Sequence, residues 1–224
     1  DAATLSFRSC WGSFESAGWH LFEDTSSMTL TVARATDRVN TEALLGPVVD
    51  VCRGQLACPL LPGSPALDAG SVAGARYDQR GLRRPRDLAQ YPNAADSADI
   101  GALEMSSHDV TLSLEYVVST SAPGQAQTRI VLHNIGAMPV QQAVLAVLLP
   151  PSSSLVSCSQ ARVINGLGRL VLLGVESVPA GQCVEIELVF HRGSASTPCE
   201  ISARAYSLPR DEFTANNTMT IPVP

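Results

Sequence analysis

A chain of 224 residues is long enough for one large or two ordinary domains with buried cores. Fifteen basic against 21 acidic residues leave a formal charge of −6, which gives no drive towards nucleic acid. Hydrophobic residues make up 45% but aromatics only 5%, so burial must come from Val, Leu, Ile and Ala. The spread of 16 Gly and 15 Pro predicts many short strands broken by turns rather than long helices.

Every basic residue is Arg, as an Arg- and Ala-rich coding bias would produce; a surface stripped of reactive amines is the alternative. Six cysteines, Cys10, Cys52, Cys58, Cys158, Cys183 and Cys199, are many for a cytosolic β protein and ordinary for a secreted one. None lies in a C-x-x-C or Cys/His cluster of zinc spacing, so disulfides are expected before metal. No apolar run reaches the ~18 residues of a membrane helix, and Val140–Pro150 is the nearest. The first residue is Asp1, with neither an initiator Met nor a leader, so a processed product or a piece of something longer is expected.

In chain order, Ala3, Leu5 and Phe7 predict a short strand, Leu30 and Val32 a second, and Val39 a third, with Gly12, Gly18 and Gly46-Pro47 between them. Trp11, Trp19 and Phe22 are expected to fill wide bends of a β coil in preference to forming a sugar-stacking platform. Cys52 and Cys58 flank a glycine loop, and a local Cys52–Cys58 disulfide is predicted; closing so short a loop stabilises by about 2 kcal/mol.

The stretch from Pro59 to Glu104 is the densest in signals. In PGSPALDAG, Pro62 and Pro65 each fix φ and lack an amide donor, with Gly63 and Ser64 between them. Ala66 and Leu67 predict a short strand, Asp68 an acceptor of backbone N–H groups at its end, and Gly70 a positive φ leaving it. In DQRGLRRP, Asp78, Gln79, Arg80 and Gly81 precede Arg84 and Pro85, and an Arg fork on a carboxylate is expected to tie the loop back. In DIGALE, Asp99 and Glu104 bracket Ile100, Gly101 and Leu103, predicting a last short strand. Asp68, Asp78 and Asp99 also offer oxygen ligands for Ca²⁺. Their spacing matches no Ca²⁺ loop, and Arg80, Arg83, Arg84 and Arg86 lie nearby, so structural ion pairs are the preferred reading and no cofactor is expected. The basic run Arg76–Arg86 could meet an anionic glycan; clamping of acidic loops is preferred.

These three motifs, in this order, resemble the closing segment of a right-handed parallel β-helix of the choice-of-anchor Q, pectin-lyase-like type found in secreted bacterial surface proteins. The earlier SAGWHLFEDT and TEALLGPVVD resemble the penultimate rungs of that family. The resemblance implies that residues 1–105 are the last coils and cap of such a helix, lidding unpaired backbone groups and an apolar cross-section. Only two or three coils fit, and solenoids need at least three repeats. The open front coil is therefore expected to continue onto upstream coils or another polypeptide.

Met105–Asp109 (MSSHD) is predicted as a polar linker, and residues 106–224 as a second domain. Val110, Leu112, Leu114, Tyr116 and Val118 alternate with polar residues, then Thr128, Ile130 and Leu132 repeat the pattern. Strands are further expected within 140–150, at Leu155–Cys158, Arg169–Leu173, Val184–Phe190, Ile201–Ala205 and Met219–Val223. Seven or eight strands make an antiparallel immunoglobulin-like sandwich, so the chain as a whole is expected to be all-β. Gly124, Asn134, Gly136, Pro150, Gly181, Asn216 and Asn217 give this part a resemblance to the DUF11/CARDB-type modules of bacterial surface proteins, which implies a spacer, stalk or adhesion role without catalytic residues. If strands alternate in direction, Cys158 and Cys199 meet at one pole with inward parity, so Cys158–Cys199 is the favoured pair, leaving Cys10 and Cys183 free or bonded to another chain.

His20, His108, His133 and His191 sit in no metal-spaced or nucleophile-elbow motif, and no glycine loop resembles a phosphate cradle. The expectation is a non-enzymatic extracellular module for display, adhesion or assembly at a bacterial surface. Other protein chains would dock through the open coil and edge strands, and a cell-surface glycan is the further candidate partner. The alternative is the C-terminal part of a carbohydrate-active β-helix lyase or hydrolase.

Overall fold

The computed structural model describes residues 12–26, 28–32, 34–52, 54–117, 122–166, 168–193 and 199–223. The predicted strand at Ala3–Phe7, together with Cys10 and Trp11, lies outside them. All extended elements are β, and the chain divides into two compact units: residues 1–46 with 59–105, and residues 47–58 with 106–224. The segment Pro47–Cys58, expected in the front domain, groups with the second unit.

In the first unit, β1 (Gly12–Glu15) pairs in parallel with β3 (Met28–Val32), and β2 (Leu21–Phe22) with β4 (Arg38–Val39). Phe14 sits opposite Leu30; a bulge then moves Glu15 opposite Val32, and Leu21 keeps that longer spacing opposite Arg38. The chain thus returns beside itself after 16 and then 17 residues. Buried Phe22 meets Phe14 edge-on at 6.0 Å and stacks on His20 at 5.7 Å. Trp19 is half-buried in the turn before β2, at φ 64°.

A parallel β-helix is not shown by these two short pairs. Residues 59–105 are turns and bends joined by the bridges Leu45–Leu60, Gly70–Ala98 and Tyr77–Arg83. The strand expected at Ala66–Leu67 is a tight turn, because Leu67 N–H donates to Ser64 O and Asp68 adopts φ 49°. The strand expected across Asp99–Glu104 is likewise absent; Gly101, at φ 129°, interrupts extended backbone there.

In the second unit, β5 (Val49–Cys52) and β6 (Gln55–Ala57) form a hairpin. The sandwich that follows comprises β7 (Val110–Val117), β8 (Gln125–Asn134), β9 (Gln142–Leu148), β10 (Ser154–Cys158), β11 (Arg162–Asn165), β12 (Leu170–Val175), β13 (Cys183–His191), β14 (Cys199–Leu208) and β15 (Thr218–Val223). One antiparallel sheet runs β10-β13-β8-β7 and the other β11-β12-β9-β14-β15. With β7, β8 and β13 beside one another, and β9, β14 and β15 in the facing sheet, this is an immunoglobulin-like arrangement. The nine strands exceed the expected number by including β11. That edge strand has three exposed residues in four, so it carries no inward alternation for a sequence reading to detect.

Inward residues of both sheets fill the core as the two-residue period requires: Leu112 and Leu114, Ile130 and Leu132, Leu145 and Val147, Ile186, Leu188 and Phe190. Outward, the four-stranded sheet carries charge, with Arg129 paired to Glu185 at 2.5 Å and lying 3.7 Å from Glu115.

The chain passes from one unit to the other after Met105, within the predicted linker, and that stretch is largely buried. Met105, Ser106 and Asp109 are buried, and backbone carbonyls of Ser106, Ser107 and Asp109 accept from Ala137, Met138, and Ile135 and Gly136. A Cβ on Gly136 would stand 2.7 Å from Asp109 N and 2.8 Å from Ser107 O. Gly136→Ala is therefore expected to cost about 1–3 kcal/mol by overpacking against backbone, read as a lower denaturation midpoint of the second unit by circular dichroism.

Candidate functional site

The closing motifs converge on one buried polar cluster within the first unit. Asp78, whose side chain is 0% exposed, sits at the start of a turn. Its Oδ1 accepts from the amides of Arg80 (2.8 Å) and Leu82 (2.9 Å). Its Oδ2 accepts from Arg80 Nε (3.0 Å), Arg80 Nη2 (2.9 Å) and the amide of Glu104 (3.1 Å). Arg80 also donates to Glu104 O, so its guanidinium clips the loop onto the 99–104 segment. Glu104 Oε1 takes the amide of Asp99 (3.0 Å) and faces Arg84 Nη1 at 3.4 Å, while Oε2 takes the amide of Arg86 (2.9 Å). Arg84 further donates to Asp99 O and Gly101 O, and a cis peptide joins it to Pro85.

Asp99 is the crossing point. Its Oδ1 accepts from the amide of Asp68 at 2.8 Å and its Oδ2 from that of Met105 at 2.6 Å. Asp68 in turn accepts from Leu88 N–H at 3.2 Å, and its Oδ1 has no partner. Gln79 donates its amide to Ala102 O, Gly81 turns the loop at φ 87°, and Gly63 turns at φ 86° with its amide on Tyr91 Oη. Ser64, between Pro62 and Pro65, donates its hydroxyl to Ala43 O.

Gly70 departs from expectation. Its φ is not positive; the constraint is close approach, since a Cβ there would lie 3.0 Å from both C and O of Asp99. The positive φ belongs to Asp68.

Burial pushes the Asp99 carboxyl up to about 7, with Glu104 and Asp68 adding to the rise and the Met105 and Asp68 amides opposing it. Burial likewise raises Glu104, against the pull of the Asp99 and Arg86 amides and of Arg84, and raises Asp68, against the Leu88 amide. The fold therefore holds more protons than the unfolded chain between the ordinary aspartate range and about 7. Stability of the first unit is expected to be full below pH ~4 on this account and to fall as pH rises through ~7. Urea midpoints followed by tryptophan fluorescence should be higher at pH 5 than at pH 8, and Asp99→Asn should flatten the difference.

Arg80 and Arg84 are turned inward, with side chains 2% and 9% exposed, so they leave the basic run with only Arg76 and Arg83 fully at the surface. Neither expected disulfide is formed: Cys58, Cys158, Cys183 and Cys199 are free cysteines. Cys158, on β10, donates to Ala161 O at 3.2 Å, and burial pushes its thiol up. Cys199 lies on β14, in the opposite sheet, near Val223 O. Strict alternation over the expected strands puts both at one pole, but β11 adds one more reversal: Cys199 lies by Ser153 and Phe190, at the end where β10 starts, while Cys158 is further along β10, opposite Leu188. The side chain of Cys52 lies outside the described residues. His133 is half-buried on the charged face, where desolvation lowers its pKa despite Glu185.

A second polar site escaped the sequence reading. On the outer face of β14, the Arg204 guanidinium lies over the Tyr206 ring, 5.2 Å from its centroid. These two residues, with Arg210, Asp211, Thr214 and Asn217, line a cavity of about 400 Å³. The alternation in ISARAYSL puts Arg204, Tyr206 and Leu208 on one side and was the available signal.

No family model matches the sequence, and no curated protein matches it. Among solved structures the chain is similar to the CARDB domain of the PF1109 protein from Pyrococcus furiosus, a crystal structure in complex with di-metal ions. The identity is 14% over 55% of this chain and 92% of that one, with a TM-score of 0.39. It is similar also to the chitin-binding domain of a hyperthermophilic chitinase from Pyrococcus furiosus (16% identity, 46% and 92% coverage, TM-score 0.32). A third is a GH20 exo-β-N-acetylglucosaminidase from Vibrio harveyi, of which only 18% is covered, against 53% of this chain (14% identity, TM-score 0.31). At such scores these likenesses carry no argument about ligand or activity, and the all-β, two-sheet assignment rests on the strand pairings above. Among the described residues, no helix is long and apolar enough to cross a membrane.

Proposed function

We propose that the chain is a non-catalytic module of an extracellular bacterial surface or filament protein. Its first unit forms the closing rungs of a right-handed parallel β-helix, and its second a CARDB-type sandwich that spaces or presents it. The single observation that supports this most is how the carboxylates of the closing motifs are used. Asp78, Asp99 and Glu104 are buried, and each spends its oxygens on amides and Arg side chains of the same segment. A lyase or hydrolase needs acids that reach a substrate; these acids hold a lid in place. The parallel return after 16 and 17 residues supports the coil reading, since successive rungs of a solenoid lie side by side at a nearly constant period. Coils contributed by upstream residues or by a second polypeptide would continue the stack at β1. The extracellular setting rests on the resemblance of the closing motifs to those of secreted surface proteins.

Incubating the protein with pectate, alginate and chitin, and following reducing ends and unsaturated uronate absorbance, tests the non-catalytic reading. No product above the buffer control is expected. Steady release of product by the pure protein would overturn it in favour of a carbohydrate-active enzyme.

A further inference from the structure

We propose that the outer face of β14 is a binding site for an anionic sugar residue. The proposal stands on the second unit alone and is independent of the coil reading of the first. Ile201, Ala203 and Ala205 face the core, which sets Arg204, Tyr206 and Leu208 outward in a row. Across the sheet, Arg204 sits opposite Ala146 and Tyr206 opposite Val144. Beside these uncharged neighbours Tyr206 is 52% exposed. One exposed aromatic face suits the C–H face of a pyranose.

The charge beside that ring is positive. Arg204 and Arg210 are both exposed on a chain whose formal charge is −6. Asp211, the acid lining the cavity, is buried and already accepts the amides of Val110 (2.7 Å) and Phe213 (2.6 Å). Asn217 supplies the independent sign of a ligand. It is 2% exposed and lines the cavity, its Nδ2 reaches Ala205 O at 3.5 Å, and its Oδ1 accepts no hydrogen bond. A buried acceptor without a donor is costly unless something in the cavity donates to it. A sugar hydroxyl has that chemistry, while two guanidinium groups bind a carboxylate or a sulfate. The cavity of about 400 Å³ is of ligand-binding size.

Carboxylated and sulfated sugars share the required chemistry, and titration calorimetry with three oligosaccharides separates them: tetragalacturonate, a heparin-derived tetrasaccharide and neutral chitotetraose. Binding of one or both anionic ligands, weakened by added salt, is expected, with chitotetraose at least about tenfold weaker. Arg204→Ala and Arg210→Ala should each lose about tenfold or more in affinity. Tyr206→Ala should lose about tenfold while Tyr206→Phe keeps binding, because the ring face and not the hydroxyl is used. All three positions are at the surface, so circular dichroism should be unchanged in each variant. No binding of either anionic ligand by the folded protein overturns the proposal. So does binding that is indifferent to Arg204→Ala or Tyr206→Ala, or equal binding of chitotetraose.

Discussion

Asp78→Ala is expected to destabilise the first unit by about 3–5 kcal/mol, the scale of breaking a buried ion pair from one side. The carboxylate joins three amides, from Arg80, Leu82 and Glu104, to a guanidinium whose side chain is only 2% exposed. Removing it takes away the counter-charge of Arg80 and leaves buried amide donors unpaired, each costing about 1–3 kcal/mol. Asp78→Asn keeps an acceptor for part of this set and should fall between alanine and the parent. Both tryptophans, Trp11 and Trp19, precede Gly46, so tryptophan fluorescence in urea reports on the first unit. A loss below about 1 kcal/mol, the range of an exposed pair, would show that the cluster does not hold the closing segment.

Phe190→Ala is expected to cost about 3–5 kcal/mol in the second unit. Phe190 is fully buried and sits opposite Leu155 on one neighbouring strand and Ala126 on the other. Truncation leaves a cavity that β-strand neighbours on both sides are too constrained to fill. Val189→Ala, on the outer side of the same strand, is the control and should cost under about 1.5 kcal/mol. The measurement is a urea transition by far-ultraviolet circular dichroism, since most of the strands lie in this unit.

The sandwich was legible because its long strands each bury one face. CVEIELVF alternates over its whole length, and its apolar parity is the core-facing parity in the structure. β11 gave no such signal, being an edge strand with almost nothing to bury. The front unit was legible in a different way. Its strands are two to five residues long, too short for a period, so only its Gly, Pro, Asp and Arg punctuation could be read. That punctuation correctly placed opposite charges together at Asp78 and Arg80. It could not show that Asp99 accepts the amides of Asp68 and Met105, because that contact depends on the path of the chain between them. Nor can punctuation tell a glycine needed for φ from one needed for close approach, and Gly70 is of the second kind. MSSHD looked like a linker from its polarity. It is buried because its carbonyls, not its side chains, bind the Ile135–Met138 turn. At β14 the pattern gave the outward face of Arg204 and Tyr206, but not the 210–217 segment that lines the cavity beside them.

The coil reading of the first unit turns on whether the chain comes back parallel to itself. Solution NMR on isotope-labelled protein tests this through cross-strand nuclear Overhauser effects between backbone protons. The account predicts contacts pairing Ser13 with Thr29 and Phe14 with Leu30, together with Leu21 with Arg38, in a parallel pattern. Close Hα–Hα contacts that place β1 antiparallel to β3, or β2 antiparallel to β4, would contradict it.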